Sequence, residues 1–288
     1  MSNFDQIEIQ TENVETPTKK TYVALVVDES SSMGSMTEQA ISLFNENLQT
    51  MRNEGKANNI RNVVSLVKFA SSVDVIHENV ELDQIEEVNN QSYRPNGCTA
   101  MYDGIGTAIN LLKGVSDYDD ENVSFLVLVI TDGEENSSKE FSGQQLSQWI
   151  TDLEATERWT FTVLGANVDL RKLRQTLGIK AANVQNFDFS SEGFSQGSQV
   201  MTRGLTAYYT ARSTGLNAVS NFYEDGNIPD LSGQAQNIQD LVNTIQNQQS
   251  NPIADSDHLR WQSGHSTLDM GISNDTSWSS DSSSGIDD

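Results

Sequence analysis

The stretch Tyr22-Val23-Ala24-Leu25-Val26-Val27-Asp28-Glu29-Ser30-Ser31-Ser32-Met33 decides how the chain is read. An apolar run of strand length stops at a carboxylate, hydroxyls follow two and four residues on, and a helix start comes next. That order describes a strand delivering oxygen ligands to a loop, and oxygen-only donors suit a hard divalent cation such as Mg²⁺ or Mn²⁺. The D-x-S-x-S spacing alone carries little, because Asp275, Ser277 and Ser279 repeat it with no apolar strand before them and no amphipathic helix after them. Only context separates the two occurrences.

The chain has 288 residues, enough for one large domain or two small ones with a real core. Apolar residues make up 36%, low for a wholly globular chain, so part of it is expected to lie outside the core. The net charge of −24 is spread over every segment, with −2 in residues 1–20, −12 in 21–215 and −10 in 216–288. Phosphate backbones and anionic lipid surfaces are therefore poor partners, which argues against nucleic acid and membrane, while cations and basic proteins are suitable ones. Cys98 is the sole cysteine, so no internal disulfide is possible and a reducing compartment is expected. The first residues have acids and glutamines where a signal peptide needs a basic start, and no apolar run reaches the length of a membrane span. The expected location is cytoplasmic.

Residues 1–20 read as a flexible lead-in. Past the Asp28 loop, Ser35-x-x-Glu38 has capping-box spacing, and Ile41, Phe44, Leu48 and Met51 recur at helical intervals. Asn62–Ala70 and Val73–Val80 are β-rich runs parted by Ser71-Ser72, which predicts a hairpin with one antiparallel edge strand. A turn-rich loop, Tyr93-Arg94-Pro95-Asn96-Gly97-Cys98-Thr99, leads into a helix marked by Met101, Ile105, Ala108 and Leu112 and closed by Gly114. After a short acidic loop, Asp117–Glu121, comes Val123–Thr131, the most hydrophobic run in the chain and the expected central parallel strand. It ends at a carboxylate too, in Thr131-Asp132-Gly133.

A helix with Leu146, Trp149, Ile150 and Leu153 follows, then a strand at Trp159–Leu164 and a short helix opened by Asp169. Val184–Phe189 is the last predicted strand, and Phe194, Met201, Leu205 and Tyr208 mark the last helix. Alternating strands and helices predict a three-layer, doubly wound α/β domain over 21–215, its sheet mostly parallel with one antiparallel edge strand. Ligands of such sheets bind at the carboxyl ends of the strands, where the strand order reverses. Residues 216–288 turn to Gln, Asn, Ser, Asp and Gly and read as an acidic, mostly disordered tail. A short helix is expected at 234–248, where Ile238, Leu241, Val242 and Ile245 share a face.

Three loops fall at predicted strand ends or helix starts: Asp28-x-Ser30-x-Ser32, Thr99 in Gly97-Cys98-Thr99-Ala100-Met101-Tyr102-Asp103, and Asp132 in Ile130-Thr131-Asp132-Gly133-Glu134. Together they resemble the von Willebrand factor A (vWA) domain with its metal-ion-dependent adhesion site, over roughly residues 21–213. The resemblance implies a Rossmann-like fold in which Ser30 and Ser32 bind Mg²⁺ directly, Thr99 directly or through water, and Asp28 and Asp132 through waters. It also implies a non-enzymatic module whose protein partner supplies an Asp or Glu side chain to the ion. Cys98 replaces a glycine frequent in the family. Met33 and the Thr-Ala-Met-Tyr-Asp run look like the intracellular prokaryotic and phage branch. The alternative is a structural component of a virion or large assembly, its metal site only stabilising the fold.

Rival motifs are weaker. Gly193-Phe194-Ser195-Gln196-Gly197 fits the G-x-S-x-G nucleophile elbow, but the histidines that follow it, His258 and His265, lie in the low-complexity tail. His77 reads as a half-exposed strand residue, and Asp117–Glu121 as a solvated acidic loop without the glycine and terminal glutamate of an EF-hand. Trp261 and Trp278 lie among acids and serines and read as incidental or as an anchor for partner binding. No Walker-type or G-x-G-x-x-G phosphate loop is present. Because the domain is itself acidic, the partner is expected to carry basic residues around its acid, and the tail to act as a second contact or a competitor in cis.

Overall fold

A computed structural model describes residues 19–166 and 168–224. Strands and helices alternate along them as β1 (Lys19–Asp28), α1 (Thr37–Asn58), β2 (Ile60–Phe69), β3 (Val73–Glu81), α2 (Met101–Lys113), β4 (Val123–Thr131), α3 (Gly143–Glu154), β5 (Trp159–Ala166), α4 (Leu170–Leu177), β6 (Val184–Phe187) and α5 (Ser191–Ser213). The expected helix at 234–248, the second D-x-S-x-S, Trp261 and Trp278 lie outside the described residues.

The strands form one sheet in the order β3-β2-β1-β4-β5-β6. All pairs are parallel except β2 with β3, the antiparallel edge. β1 and β4 are buried along nearly their whole length because helices cover both faces of the sheet. Side chains alternate between two cores. Val23, Leu25 and Val27 of β1 and Leu126, Leu128 and Ile130 of β4 pack with α1 and α5. Tyr22, Ala24 and Val26, with Phe125, Val127 and Val129, pack with α2, α3 and α4. Two consequences position the site. The order of the chain reverses between β1 and β4, so their adjacent carboxyl ends form the switch point where open α/β sheets hold ligands. The β1/β4 register pairs Val27 with Ile130, which puts Asp28 beside the Thr131-Asp132 end.

α1 leaves the Asp28 loop and runs parallel to α5. Three polar pairs hold them in one register: Gln39 donates to Ser191 at 3.1 Å, Ser198 to Glu46, and Thr206 to Glu54 at 2.8 Å, each pair 152 residues apart. Between the two lower pairs, Asn47 is fully buried with neither amide atom hydrogen-bonded among the described residues.

Several local expectations change. The Ser35/Glu38 capping box does not form; Ser31–Met36 is a 3-10 turn, α1 starts at Thr37, and no side chain caps it. The turn is needed to seat Met33, which is 1% exposed, beneath the loop. Asp117 is not merely solvated, because it pairs with Lys20 and accepts the Tyr22 hydroxyl at 2.7 Å. Lys19 and Lys20 already lie in β1, and packed chain runs on past residue 215. Val219 N–H donates to Thr160 Oγ1 at 3.0 Å, Phe222 N–H to Asn183 Oδ1 at 2.8 Å, and Tyr223 N–H to the Ala182 carbonyl at 2.9 Å. The Phe222 ring lies against Gly204, where a Cβ would sit 2.3 Å from it. Composition hides this strap because its anchors are backbone amides, bonded to Thr160 of β5 and to Ala182 and Asn183 at the β6 entry.

At the end of the sheet away from the switch point, Arg212 is 1% exposed and donates to the Lys20 carbonyl at 3.2 Å and the Asn122 carbonyl at 2.8 Å. It also holds the Leu216 carbonyl and the Asn217 side chain. It thus ties the starts of β1 and β4 to the end of α5. Replacement by a methionine, which keeps the stem but strips the donors, leaves buried carbonyls unpaired. Arg212→Met is expected to destabilise the domain by about 2–4 kcal/mol in urea melts, with an unchanged slope.

Candidate metal centre

The site is built where β1 and β4 end. Asp28, the last residue of β1, is fully buried. Its Oδ1 accepts the Ser30 N–H at 2.8 Å and its Oδ2 accepts the Thr131 hydroxyl at 2.6 Å. Ser30 Oγ lies 3.0 Å from Ser32 Oγ, and the Ser32 hydroxyl donates to Asp132 Oδ1 at 2.7 Å. Thr99 comes in from the second loop and meets the third at Gly133, where a Cβ would lie 3.3 Å from Thr99 Oγ1 and 3.9 Å from Asp28 Oδ2. All five predicted residues therefore converge in a single cluster. Asp28, Ser30, Thr99 and Asp132 are at most 9% exposed, while Ser32 reaches the surface.

Residues outside the expected set hold the loops in place. The Tyr93 hydroxyl donates to the Asp28 carbonyl at 2.6 Å. The Glu29 carboxylate takes Lys68 Nζ at 2.9 Å on each oxygen, and its Oε1 also takes the Arg94 N–H at 2.5 Å. Ser31 N–H donates to the Gly97 carbonyl at 3.1 Å, locking the first loop to the second. Gly97 is required there, since it has φ 86° and its Cβ would lie 2.5 Å from Ser71 Oγ.

The third loop is stapled to the start of α2 by two acids. Asp103 accepts the N–H groups of Lys139, Glu140 and Phe141, and Glu135 accepts those of Tyr102, Ser137 and Ser138. Asn136 Oδ1 takes the Thr99 N–H at 2.9 Å. Asp103 is visible in the Thr-Ala-Met-Tyr-Asp run. Tyr93, Lys68 and Glu135 carry no sequence signal for this role, because each acts through a contact distant along the chain.

The electrostatics are unbalanced. Burial raises the Asp28 carboxyl above the usual range, with the Thr131 and Ser30 hydrogen bonds opposing it. Burial also raises Asp132, to about 6, with the Asp28 charge adding and the Ser32 hydrogen bond opposing. Among the described residues, neither carboxylate forms an ion pair. No group of three or more His, Cys, Asp or Glu is arranged there to cage a metal. Two buried acids and three hydroxyls without a compensating cation make a donor set that fits one hard divalent ion, its charge balanced by Asp28 and Asp132.

The G-x-S-x-G residues serve packing. Gly193 N–H donates to the capping Ser190 hydroxyl at 3.0 Å, and a Cβ on Gly193 would lie 1.9 Å from the Asp188 carbonyl oxygen. Ser195 is exposed on α5. His77 is on β3, at the opposite edge of the sheet from β6, and is half-buried.

The chain matches the von Willebrand factor type A domain over residues 23–203, and it belongs to that family. Members are typically metal-dependent adhesion or protein-binding modules, usually non-catalytic. No curated protein matches it in sequence. Among solved structures, a D319A mutant of the PilB minor pilin from Streptococcus sanguinis is 13% identical with a TM-score of 0.50, over 71% of this chain and 65% of that one. The pilus adhesin SpaC from Lactobacillus rhamnosus GG is 13% identical with a TM-score of 0.50, over 67% and 31%. Proximal thread matrix protein 1 from the mussel byssus, a structure with zinc in its adhesion-site motif, is 17% identical with a TM-score of 0.44, over 64% and 45%. The chain spans less than two thirds of each of these proteins.

Two outcomes follow from the raised carboxyls. The metal-free folded state binds protons at Asp132 more tightly than the unfolded chain does, so that residue's contribution to stability falls as pH rises from about 4 to about 6. Asp132→Asn removes the uncompensated charge and keeps an acceptor for Ser32. In chelator at neutral pH it is expected to raise stability by roughly 1–2 kcal/mol, with the gain vanishing in acid melts. The stabilisation that millimolar Mg²⁺ gives the wild type is expected to be larger at neutral pH than at about pH 5, where protons compete for the same oxygens. Thermal melts across pH, with and without Mg²⁺, read both effects.

Proposed function

We propose that the domain is a Mg²⁺-dependent protein-binding module in which Asp28, Ser30, Ser32, Thr99 and Asp132 hold the ion and a partner's Asp or Glu side chain completes its coordination. The observation that carries this reading is the pair of buried, unpaired carboxylates sharing one rim with three hydroxyls. Oxygen-only donors favour Mg²⁺, with Mn²⁺ able to take its place. When bound, the ion supplies Lewis acidity towards an incoming carboxylate.

The chain's own residues set how strong that attraction is. Two carboxylates neutralise a divalent ion, and neutral hydroxyls add no further negative charge, so a partner's acid is not repelled from the site. Thr131 orients Asp28 through its hydrogen bond, and Tyr93 and Glu29 fix the backbone on either side. Ser32, the exposed member of the set, faces the entry. The surrounding domain is acidic, so a partner with basic residues beside its acid is favoured and binding weakens with salt. Met33 and the Thr-Ala-Met-Tyr-Asp run support the intracellular prokaryotic or phage branch, and the single cysteine supports a cytoplasmic setting. The same unpaired carboxylates would be relieved by an ion with no partner present, which is what a structural component of an assembly would use.

Peptide selection on the Mg²⁺-loaded full chain separates the readings. Binders are expected to carry an Asp or Glu and to lose at least about tenfold in affinity in chelator, on Asp→Asn exchange in the peptide, or in the Asp28→Ala protein. Binders that lack an acid and ignore chelator would overturn the adhesion reading in favour of the structural one.

A further inference from the structure

A cavity of about 460 Å³ opens at the opposite end of the sheet from the metal loops, between the starts of β4 and β5 and the strap that follows α5. Glu121, Glu154, Glu157, Arg158 and Lys180 line it with strap residues 215–220. The Glu154 side chain, at the end of α3, is 9% exposed. Among the described residues, its Oε1 is buried with no hydrogen-bond partner, and its Oε2 pairs with Lys180 Nζ at 3.6 Å. Such a carboxylate is costly to keep, since buried acids normally collect several donors.

The neighbouring cations do not supply them. Arg158 is committed elsewhere: its guanidinium donates to the carbonyls of Val123, Tyr118 and Asp120 and lies over the rings of Tyr118 and Phe125. Lys180 is 45% exposed and loosely held. Glu121 and Glu157 stand exposed on the rim and add negative charge. The cavity therefore presents three acids, one of them buried and short of donors, against two cations, Lys180 and an Arg158 whose donors are spent on backbone carbonyls. Its volume is in the range of small-molecule sites.

We infer that this cavity is a second binding site, distinct from the metal centre, and that it takes an organic cation with N–H donors, a guanidinium or primary ammonium on an alkyl stem, with Glu154 as its main anchor. The cation displaces Lys180 from Glu154 and gives Oε1 its missing donor. An arginine or lysine side chain of another protein and a free polyamine share this chemistry.

Calorimetric or NMR titration of the full chain with N-acetyl-arginine methylamide, N-acetyl-lysine methylamide and spermidine tests the inference. At least one probe is expected to saturate, and which one does so separates a side-chain ligand from a polyamine. Glu154→Gln is expected to weaken it by about tenfold or more, and Lys180→Ala, which removes the competing ammonium, to tighten it several-fold. Both variants are expected to keep wild-type Mg²⁺ titration and melting cooperativity. No saturation with any probe, or equal binding by wild type and Glu154→Gln, would overturn the inference. Should Glu154→Gln fail to fold, Lys180→Ala decides alone, and unchanged or weaker binding there would overturn it.

Discussion

Asp28 and Asp132 stand at the ends of two neighbouring parallel strands, buried and close enough that the charge of one raises the pKa of the other. Keeping two carboxylates there without a cation is the constraint around which the upper face of the domain is arranged. Hydrogen bonds from Thr131, Ser30 and Ser32 partly offset it and fix where each oxygen points. None of these donors is charged. The cluster is left with an unmet demand for positive charge, and that demand makes it a cation site instead of a solved structural network.

The rest of the fold gives the cluster its rigidity. β1 and β4 are central strands covered on both faces, so their ends cannot shift without disturbing both cores. The loops that follow are tied to one another by Ser31 to Gly97 and Asn136 to Thr99, and to the body by Tyr93, Glu135 and Asp103. At the other end, Arg212 draws the starts of the same two strands to the end of α5, so both ends of the β1/β4 pair are held by polar contacts that a water-filled alternative would weaken. α1, which leaves the Asp28 loop, is registered against α5 by its Gln and Glu side chains.

Much of this is legible in the sequence alone. Val123–Thr131 reads as a central strand and forms one over those residues, Asp169 opens α4 as its side chain suggests, and Gly114 closes α2. These succeed because the signals are local: an unbroken apolar run, a capping carboxylate, a glycine stop. The convergence of Asp28, Ser30, Ser32, Thr99 and Asp132 is not local, and it became readable only through three loops matching a known family. What stayed hidden depends on contacts between distant residues of ordinary type. Tyr93 looks like a loop aromatic, Lys68 like a charge on a strand, and residues 216–224 like the start of a polar tail, yet each is placed by a partner far along the chain. The capping box at Ser35 and Glu38 failed for the converse reason, since seating Met33 in the core outweighs a local end-cap.

Whether the two unpaired carboxylates and their hydroxyls bind a hard cation decides what the upper face of the domain is for. Calorimetric titration of the full-length chain with Mg²⁺, at neutral pH and low salt, beside the Asp28→Ala variant, asks this without needing a partner. A saturable single-site isotherm that the substitution abolishes is the predicted result. Absence of binding in the wild type, or an isotherm unchanged by Asp28→Ala, would contradict it.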